Sequence, residues 1–362
     1  MQPEIKENAC PNCSSKQIKK YGIKKKKLQT LQRYFCKNCQ KTFNLQSQSN
    51  NKTYPIATIL NSISYYNLGH SQTEILKLIS KRYKQKPSQK TISNWLNEYK
   101  TICTYSKLRK EAKKLYGQNY NPEEIIETYT LMHNNLPYKF QIHKAKLYLL
   151  FHNIKYNNQF HNISMFYEPL KSYLEKIPTD KFPHHIFTYD KQDNASNEQR
   201  ASQLKFDHLK INHIEKQNQA NELAKLALNL ANSNKERHQA IQNVFLINDS
   251  TTIAAEVPIY LTNWDAGYYR NQKGFIFPLN NHKTPITGHI DILQIRNGLI
   301  HILDYKPDAD KINAIEQLTI YALALSRKLN LPLYYFKCAW FDESNYFEFF
   351  PLHAVYQKKK DE

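Results

Sequence analysis

The chain of 362 residues has room for two or three domains with at least one sizeable core, and its 51 Lys and Arg outnumber 31 Asp and Glu for a net charge of +20. No apolar run is long enough to cross a bilayer, which excludes a helical membrane span. Six cysteines, four of them clustered, are too few for the disulfide scaffold of a small exported protein. The charge is also uneven. Residues 1–120 hold 24 Lys and Arg against 5 Asp and Glu, whereas residues 121–362 hold 27 against 26. AT-rich coding would spread lysine along the whole chain, so a basic first third is the footprint expected of phosphate binding, with a solvated lysine-rich surface as the alternative.

Met1 to Asn8 is charged and lacks the apolar stretch of a signal peptide, which predicts a cytoplasmic, nucleoid-associated protein. Cys10-Pro11-Asn12-Cys13 and Cys36-Lys37-Asn38-Cys39 are two CxxC knuckles with 22 residues between Cys13 and Cys36. Four thiolates in two such pairs satisfy the tetrahedral preference of zinc, and the segment between them forms the hairpin of a ribbon. Four protein ligands leave no open position, so the zinc is structural. The knuckles, with Lys20-Tyr21-Gly22, Gln32-Arg33-Tyr34-Phe35 and Phe43, resemble the N-terminal zinc ribbon of InsA-type insertion-sequence proteins over about residues 8–45. That resemblance implies DNA contact, with Lys24, Lys25, Lys26, Lys27 and Arg33 on phosphates. The first domain is set at 1–46.

A polar linker, Gln46 to Lys52, leads to a second domain at 53–118. Pro55 to Leu68 is apolar at helical spacing through Ile56, Ile59, Leu60 and Ile63. Ser71 with Glu74 three residues on is a capping-box pattern for a second helix. Pro87-Ser88 opens a third, with Ile92, Trp95, Leu96 and Tyr99 as its buried stripe. Three short helices predict a helix-turn-helix whose last helix presents Gln89, Lys90, Ser93, Asn94 and Asn97 to the major groove. Lys81, Arg82, Lys84, Lys86 and Lys90 would hold the backbone. A connector or dimerisation bundle is the alternative.

From 119 to 210 the pattern predicts a helical and linker region. Tyr105 to Tyr116 reads as a basic helix, Pro122 to Leu150 as helix interrupted near Pro137, and Asp190 to Ser202 as a loop. Gln219 to Asn248 has apolar residues at helical spacing.

The last domain is set at 211–356. Thr252 to Leu261, Thr287 to Ile295 and Leu299 to Tyr305 alternate or are β-branched and read as strands. Asn297-Gly298 between the last two is a two-residue hairpin turn. Pairing about that turn sets Asp291 opposite Asp304, with Cβ atoms roughly 4.5–5.5 Å apart. Facing carboxylates destabilise a sheet unless a cation lies between them, and a hard divalent ion prefers such oxygens. Lys306, two residues past Asp304, projects from the same face. Apolar neighbours on both faces predict a buried hairpin, where uncompensated aspartates would be costly. A helix over Lys311 to Leu329 then sets Gln317 and Tyr321 on one face, and Leu333 to Phe341 and Tyr346 to Leu352 read as closing strands.

Together Gly288-x-x-Asp291, Asp304-Tyr305-Lys306 and Gln317-x-x-x-Tyr321 resemble the RecB-like branch of the PD-(D/E)xK nucleases over about residues 235–352. The resemblance implies a restriction-endonuclease-like α/β domain with a mixed central sheet. Asp291, Asp304 and the Tyr305 carbonyl would hold magnesium or manganese. Lys306 would orient the attacking water, and Gln317 and Tyr321 would support the lysine and the DNA. Glu256, before Val257-Pro258, matches a family acidic position, with an edge-strand carboxylate as the alternative. His238 matches a histidine that completes the metal shell, with a surface histidine as the alternative. The expected protein is a multidomain, metal-dependent DNA nuclease, borne by a mobile element. The competing expectation is a DNA-binding regulator or transposition accessory protein with an inactive nuclease-like domain.

Overall fold

The computed structural model describes residues 9–25, 28, 30–44, 52–103, 109, 121–133, 136–152, 163–177, 199–206, 214–231, 233–275 and 285–356. Strands β1 (Ile18–Lys25) and β2 (Thr30–Cys36), between the cysteine knuckles, and β3 (Thr42–Phe43), after the second, form a small antiparallel sheet. Gly22, at φ 77°, sits where the β1–β2 register shifts, and the Gln32 side chain donates to its carbonyl at 2.7 Å.

Three helices follow: α1 (Ile56–Asn67), α2 (Gln72–Tyr83) and α3 (Gln89–Glu98). Ser71 and Glu74 make the reciprocal capping box, and Ser88 caps α3 by accepting from the Thr91 amide at 3.2 Å. Ile59, Leu60, Ile63, Ile75, Ile79, Ile92 and Trp95 are buried between them. The expected basic helix at 105–116 lies outside the described residues except for Arg109, whose guanidinium donates to the carbonyls of Tyr66, Gly69 and His70 and so caps the end of α1.

The rest of the chain builds one nine-stranded mixed sheet. Its first strands correct the helix expected over 122–150. After a short 3-10 turn come β4 (Ile126–His133) and β5 (Leu136–His143), an antiparallel pair, and only then α4 (Lys144–His152). Tyr129, Thr128 and Thr130 favour extended backbone, and pairing of Gln141 and Ile142 with the distant Ala255 and Ala254 buries Phe140 and Ile142. Residues 119–210 are therefore not a helical linker. They contribute β4 and β5, α4, α5 (Ile163–Lys176) and a two-residue strand β6 (Gln199–Arg200). Of the loop expected at 190–202, residues 190–198 lie outside the described set, and 199–203 form β6 and a 3-10 turn rather than loop.

Next come β7 (Ile214–Glu215), α6 (Gln219–Ala227), α7 (Arg237–Asn248), β8 (Thr252–Leu261), α8 (Asn263–Lys273), β9 (Ile286–Arg296) and β10 (Leu299–Tyr305). The chain closes with α9 (Ile315–Leu329), β11 (Phe336–Phe341), β12 (Tyr346–Phe349) and the short α10 (Leu352–Val355). The α9 helix begins four residues later than expected, because Asp308 takes a left-handed conformation and residues 309–311 make a 3-10 turn. Both closing strands are shorter than expected: Leu333–Tyr335 is 3-10, and Leu352 is already helical. The strand order is β4-β5-β8-β9-β10-β11-β12-β7, with β6 also on β9. The β10–β11 and β6–β9 pairs are parallel, and the others are antiparallel. Helix α9 is the crossover that a parallel β10–β11 pair requires.

Helices cover both faces of the sheet. One face packs on α5, α8 and α9 through residues such as Leu174, Ala266, Leu318 and Leu325. The other packs on α6 and α7, and its core runs on without interruption into α1, α2 and α3. At that junction Asn67 donates to the Asn248 carbonyl oxygen at 2.8 Å, and the Asn248 amide donates to the Ser64 hydroxyl at 3.0 Å, all three residues being buried. Gln219, opening α6, donates to the carbonyl of Ile102 at 2.6 Å. Among the described residues no helix is long and apolar enough to cross a membrane.

Candidate functional sites

The two cysteine knuckles fold alike. In each, the residue after the second cysteine, Ser14 or Gln40, turns left-handed at φ 54° or 55°, which curls the knuckle and aims both sulfurs inward. The four Sγ atoms lie within 4.8 Å of one another, with Cys10 and Cys39 at 3.4 Å and Cys13 and Cys36 at 3.5 Å. A tetrahedron of sulfurs about 2.3 Å from zinc has edges of this order. Burial would raise the Cys10 thiol, but the backbone amides of Asn12 and Cys13 and the Cys39 sulfur outweigh it and bring it down to about 6. Cys39 moves the other way, to about 12. The Lys41 amide lowers it, and burial and three sulfur neighbours more than reverse that. Four thiols this close ionise together only around a shared cation. The cluster is able to hold a structural zinc.

Around it, Lys24 and Lys25 are exposed, whereas Lys26 and Lys27 lie outside the described residues. Arg33 is partly buried, donates to the Thr42 hydroxyl at 2.9 Å and lies over the Tyr21 ring. On the helical bundle Lys81, Arg82, Lys84, Lys86, Gln89, Lys90, Asn94 and Asn97 are exposed. Ser93 is only partly so, because its hydroxyl donates to Gln72 at 3.1 Å and ties α3 to α2.

The second site lies where the sheet divides. The Asn297-Gly298 turn has both residues at positive φ, 52° and 76°, and fixes the expected register from Leu299↔Arg296 to Leu303↔Ile292. One pair further, at Asp304 and Asp291, the ladder ends: β10 turns to follow β11, and the Lys306 amide donates to the Phe341 carbonyl at 2.9 Å. Asp291 caps the break by accepting from the Tyr305 amide at 3.0 Å. Lower down, β6 takes the place beside β9 that β10 has left, with Arg200 opposite Thr287. The split opens a cavity of about 200 Å³.

Into this cavity converge Glu256 from β8, Asp291 from β9, Asp304 and Lys306 from β10 and its extension, and Gln317 and Tyr321 from α9. Glu256 is not on an edge strand. Strand β8 lies between β5 and β9, and Pro258 falls beyond the two residues where β5 pairs. Glu256 is also the one residue of β8 with a positive φ, 55°. A side chain held in so sparsely populated a conformation within a strand is backbone strain at a site of carboxylates. Gln317 donates to the Tyr321 hydroxyl at 2.9 Å, and the Tyr321 ring lies against Gly288, where an added Cβ would stand 2.4 Å from the ring. Contact, not backbone conformation, accounts for that glycine.

Lys306 Nζ sits 2.6 Å from Asp304 Oδ2. That single cation does not balance three acids. Burial first, then the Asp291 carboxylate, pushes Glu256 up to about 8, and the same two causes push Asp304 up to about 7. Asp291 is raised too, by burial above all. The donors are the hard oxygens a magnesium-class ion takes. Their spacing is more open than that of the cysteines, which among the described residues are the only group of three or more His, Cys, Asp or Glu ligand atoms within 4.8 Å of one another. His238 is exposed on the rim, and its Nε2 lies 3.0 Å from the Tyr305 carbonyl oxygen, so it bonds to the expected backbone ligand.

Sequence reasoning missed Gln242, whose amide bonds to Glu256 and reaches Asp291 Oδ1 at 3.4 Å. It follows His238 by four residues on α7, a same-face spacing that was there to be seen. It also missed Arg200, Ser202, Thr287, His289 and Tyr138, which line the same cavity. Tyr138 stacks on His289 with ring centroids 4.4 Å apart. Comparison with protein-family models, with curated proteins and with solved structures finds no match.

Proposed function

We propose that the chain is a metal-dependent DNA nuclease of the RecB-like PD-(D/E)xK type, brought to DNA by its zinc ribbon and helix-turn-helix. The observation that carries the reading is the convergence of Glu256, Asp291, Asp304, Lys306, Gln317 and Tyr321 on one cavity at the split of the sheet. Raised carboxyls in that cavity are what a buried acidic set shows when it lacks a matching positive charge.

Asp291 and Asp304, with Glu256 and the Tyr305 carbonyl, would hold a magnesium or manganese ion. When bound, the ion lowers the pKa of a water and neutralises charge on the phosphate under attack. Lys306, held at Asp304, hydrogen-bonds and orients that water. Gln242 fixes the Glu256 and Asp291 carboxylates, and His238 fixes the Tyr305 carbonyl. Gln317 holds the Tyr321 hydroxyl in place along the cavity wall, where it can meet the substrate backbone. The basic first third and the exposed polar face of α3 would supply the grip on DNA, which should weaken steeply with salt.

The test is incubation of the purified protein with supercoiled and linear DNA, with and without magnesium or manganese. Cleavage that needs the ion, lost in Asp304→Ala and Lys306→Ala while DNA binding persists, is the expected outcome. Binding without cleavage in the wild type would leave a DNA-binding regulator or transposition accessory protein.

A further inference from the structure

Away from the carboxylates the cavity lining is built differently. Arg200 lines the cavity from β6 and forms no ion pair among the described residues. Directly opposite it in the ladder, Thr287 is 3% exposed, and its hydroxyl has no hydrogen-bond partner among the described residues. Ser202, two residues after Arg200, adds an exposed hydroxyl on the same side. A buried hydroxyl without a partner costs free energy. Both groups can donate, and both residues line the cavity.

We infer that Arg200 and Thr287, with Ser202, form a phosphate-binding group that holds a non-bridging oxygen of the nucleic-acid backbone in the cavity the carboxylates share. The inference rests on the nuclease reading for its ligand. A phosphodiester suits the place because it is anionic towards Arg200, while its other face meets the carboxylates through the cation they would share. The planar fork of arginine matches two phosphate oxygens at once, and a lysine does not. Lys306 is engaged by Asp304, which leaves Arg200, of the described lysines and arginines that line the cavity, to meet the substrate. Arg200 is a positioning residue, since it holds the phosphate and leaves the water to Lys306.

The test uses the full chain with a defined fluorescent DNA duplex, in calcium for binding and in magnesium for cleavage. Arg200→Ala should lower kcat/KM by about 10- to 100-fold, the size of a lost charge-assisted hydrogen bond. It should also reduce the slope of log affinity against log salt by about 0.9, the value of one phosphate contact on a duplex. Arg200→Lys should restore the salt slope but not the full rate. Thr287→Val, which deletes only the hydroxyl, should slow cleavage and leave the slope unchanged. A purely structural Arg200 would not move the salt slope, so an unchanged slope in Arg200→Ala overturns the inference whatever happens to the rate. Should the wild type bind but fail to cut, the nuclease reading falls, while the slope, which needs binding alone, still decides whether Arg200 touches a phosphate.

Discussion

Gly288→Ala is the sharpest single perturbation of the cavity. The added methyl would stand 2.4 Å from Tyr321 Cε1 and 2.9 Å from both Cζ and the hydroxyl oxygen. Ordinary carbon contacts lie near 3.5 Å or beyond, so ring or strand must give by about 1 Å. Neither moves freely: Tyr321 is 4% exposed within the core, and Gly288 is paired with Ile259 of β8. Overpacking of this kind costs about 1–3 kcal/mol. A ring that swings away also loses its bond from Gln317, a further loss of about 1 kcal/mol. Urea denaturation of the full chain should therefore show Gly288→Ala destabilised by about 2–4 kcal/mol. In a Tyr321→Ala background the same substitution meets empty space and should cost less than about 0.5 kcal/mol, near the limit for non-interacting sites. Equal cost in both backgrounds would refute the contact as the reason for glycine.

The purified protein should carry one zinc per chain, and Cys36→Ser should release it and raise proteolytic nicking between residues 9 and 44, as metal analysis and limited proteolysis would report. Glu256 near 8 and Asp304 near 7 bind protons more tightly folded than unfolded, where their values are 4.5 and 3.8. The stability they add is full below the unfolded values and is lost as pH rises through 7 to 8. Without added divalent cation the thermal midpoint of the wild type should fall between pH 5 and about 8 relative to Glu256→Gln, and parallel curves would contradict the raised carboxyl. Asn248→Ala leaves the buried Asn67 amide and Ser64 hydroxyl short of partners and should cost about 1–3 kcal/mol in urea denaturation, against almost nothing for the exposed Asn97→Ala.

What could be read from the sequence was what local chemistry dictates. Asn297-Gly298 accepts two positive φ angles in succession, so the turn and the register as far as Leu303↔Ile292 followed from two residues, whereas Asp304 and Asp291 lie just past the end of that ladder. The cysteine knuckles and the Ser71–Glu74 box are equally local. What could not be read depends on partners far along the chain. Strands β4 and β5 have an alternating pattern, but their burial comes from β8, more than a hundred residues later, and Pro137 encouraged the reading of a broken helix. Gln242 and Arg200 reach the cavity from segments that carry no motif. Their roles emerge only when α7 and β6 are packed beside β9.

The continuous core beneath α1, α2 and α3 changes what counts as a unit of this protein. Composition suggests a joint near residue 118, yet Ile63, Phe245 and Tyr305 belong to a single apolar cluster that spans it. A chain cut there would bare the outer surface of α6 and α7 to water, and α7 is the helix that carries His238 and Gln242 to the cavity rim. Exchange of α1, α2 and α3 for another bundle would therefore also have to rebuild the floor on which α6 and α7 rest.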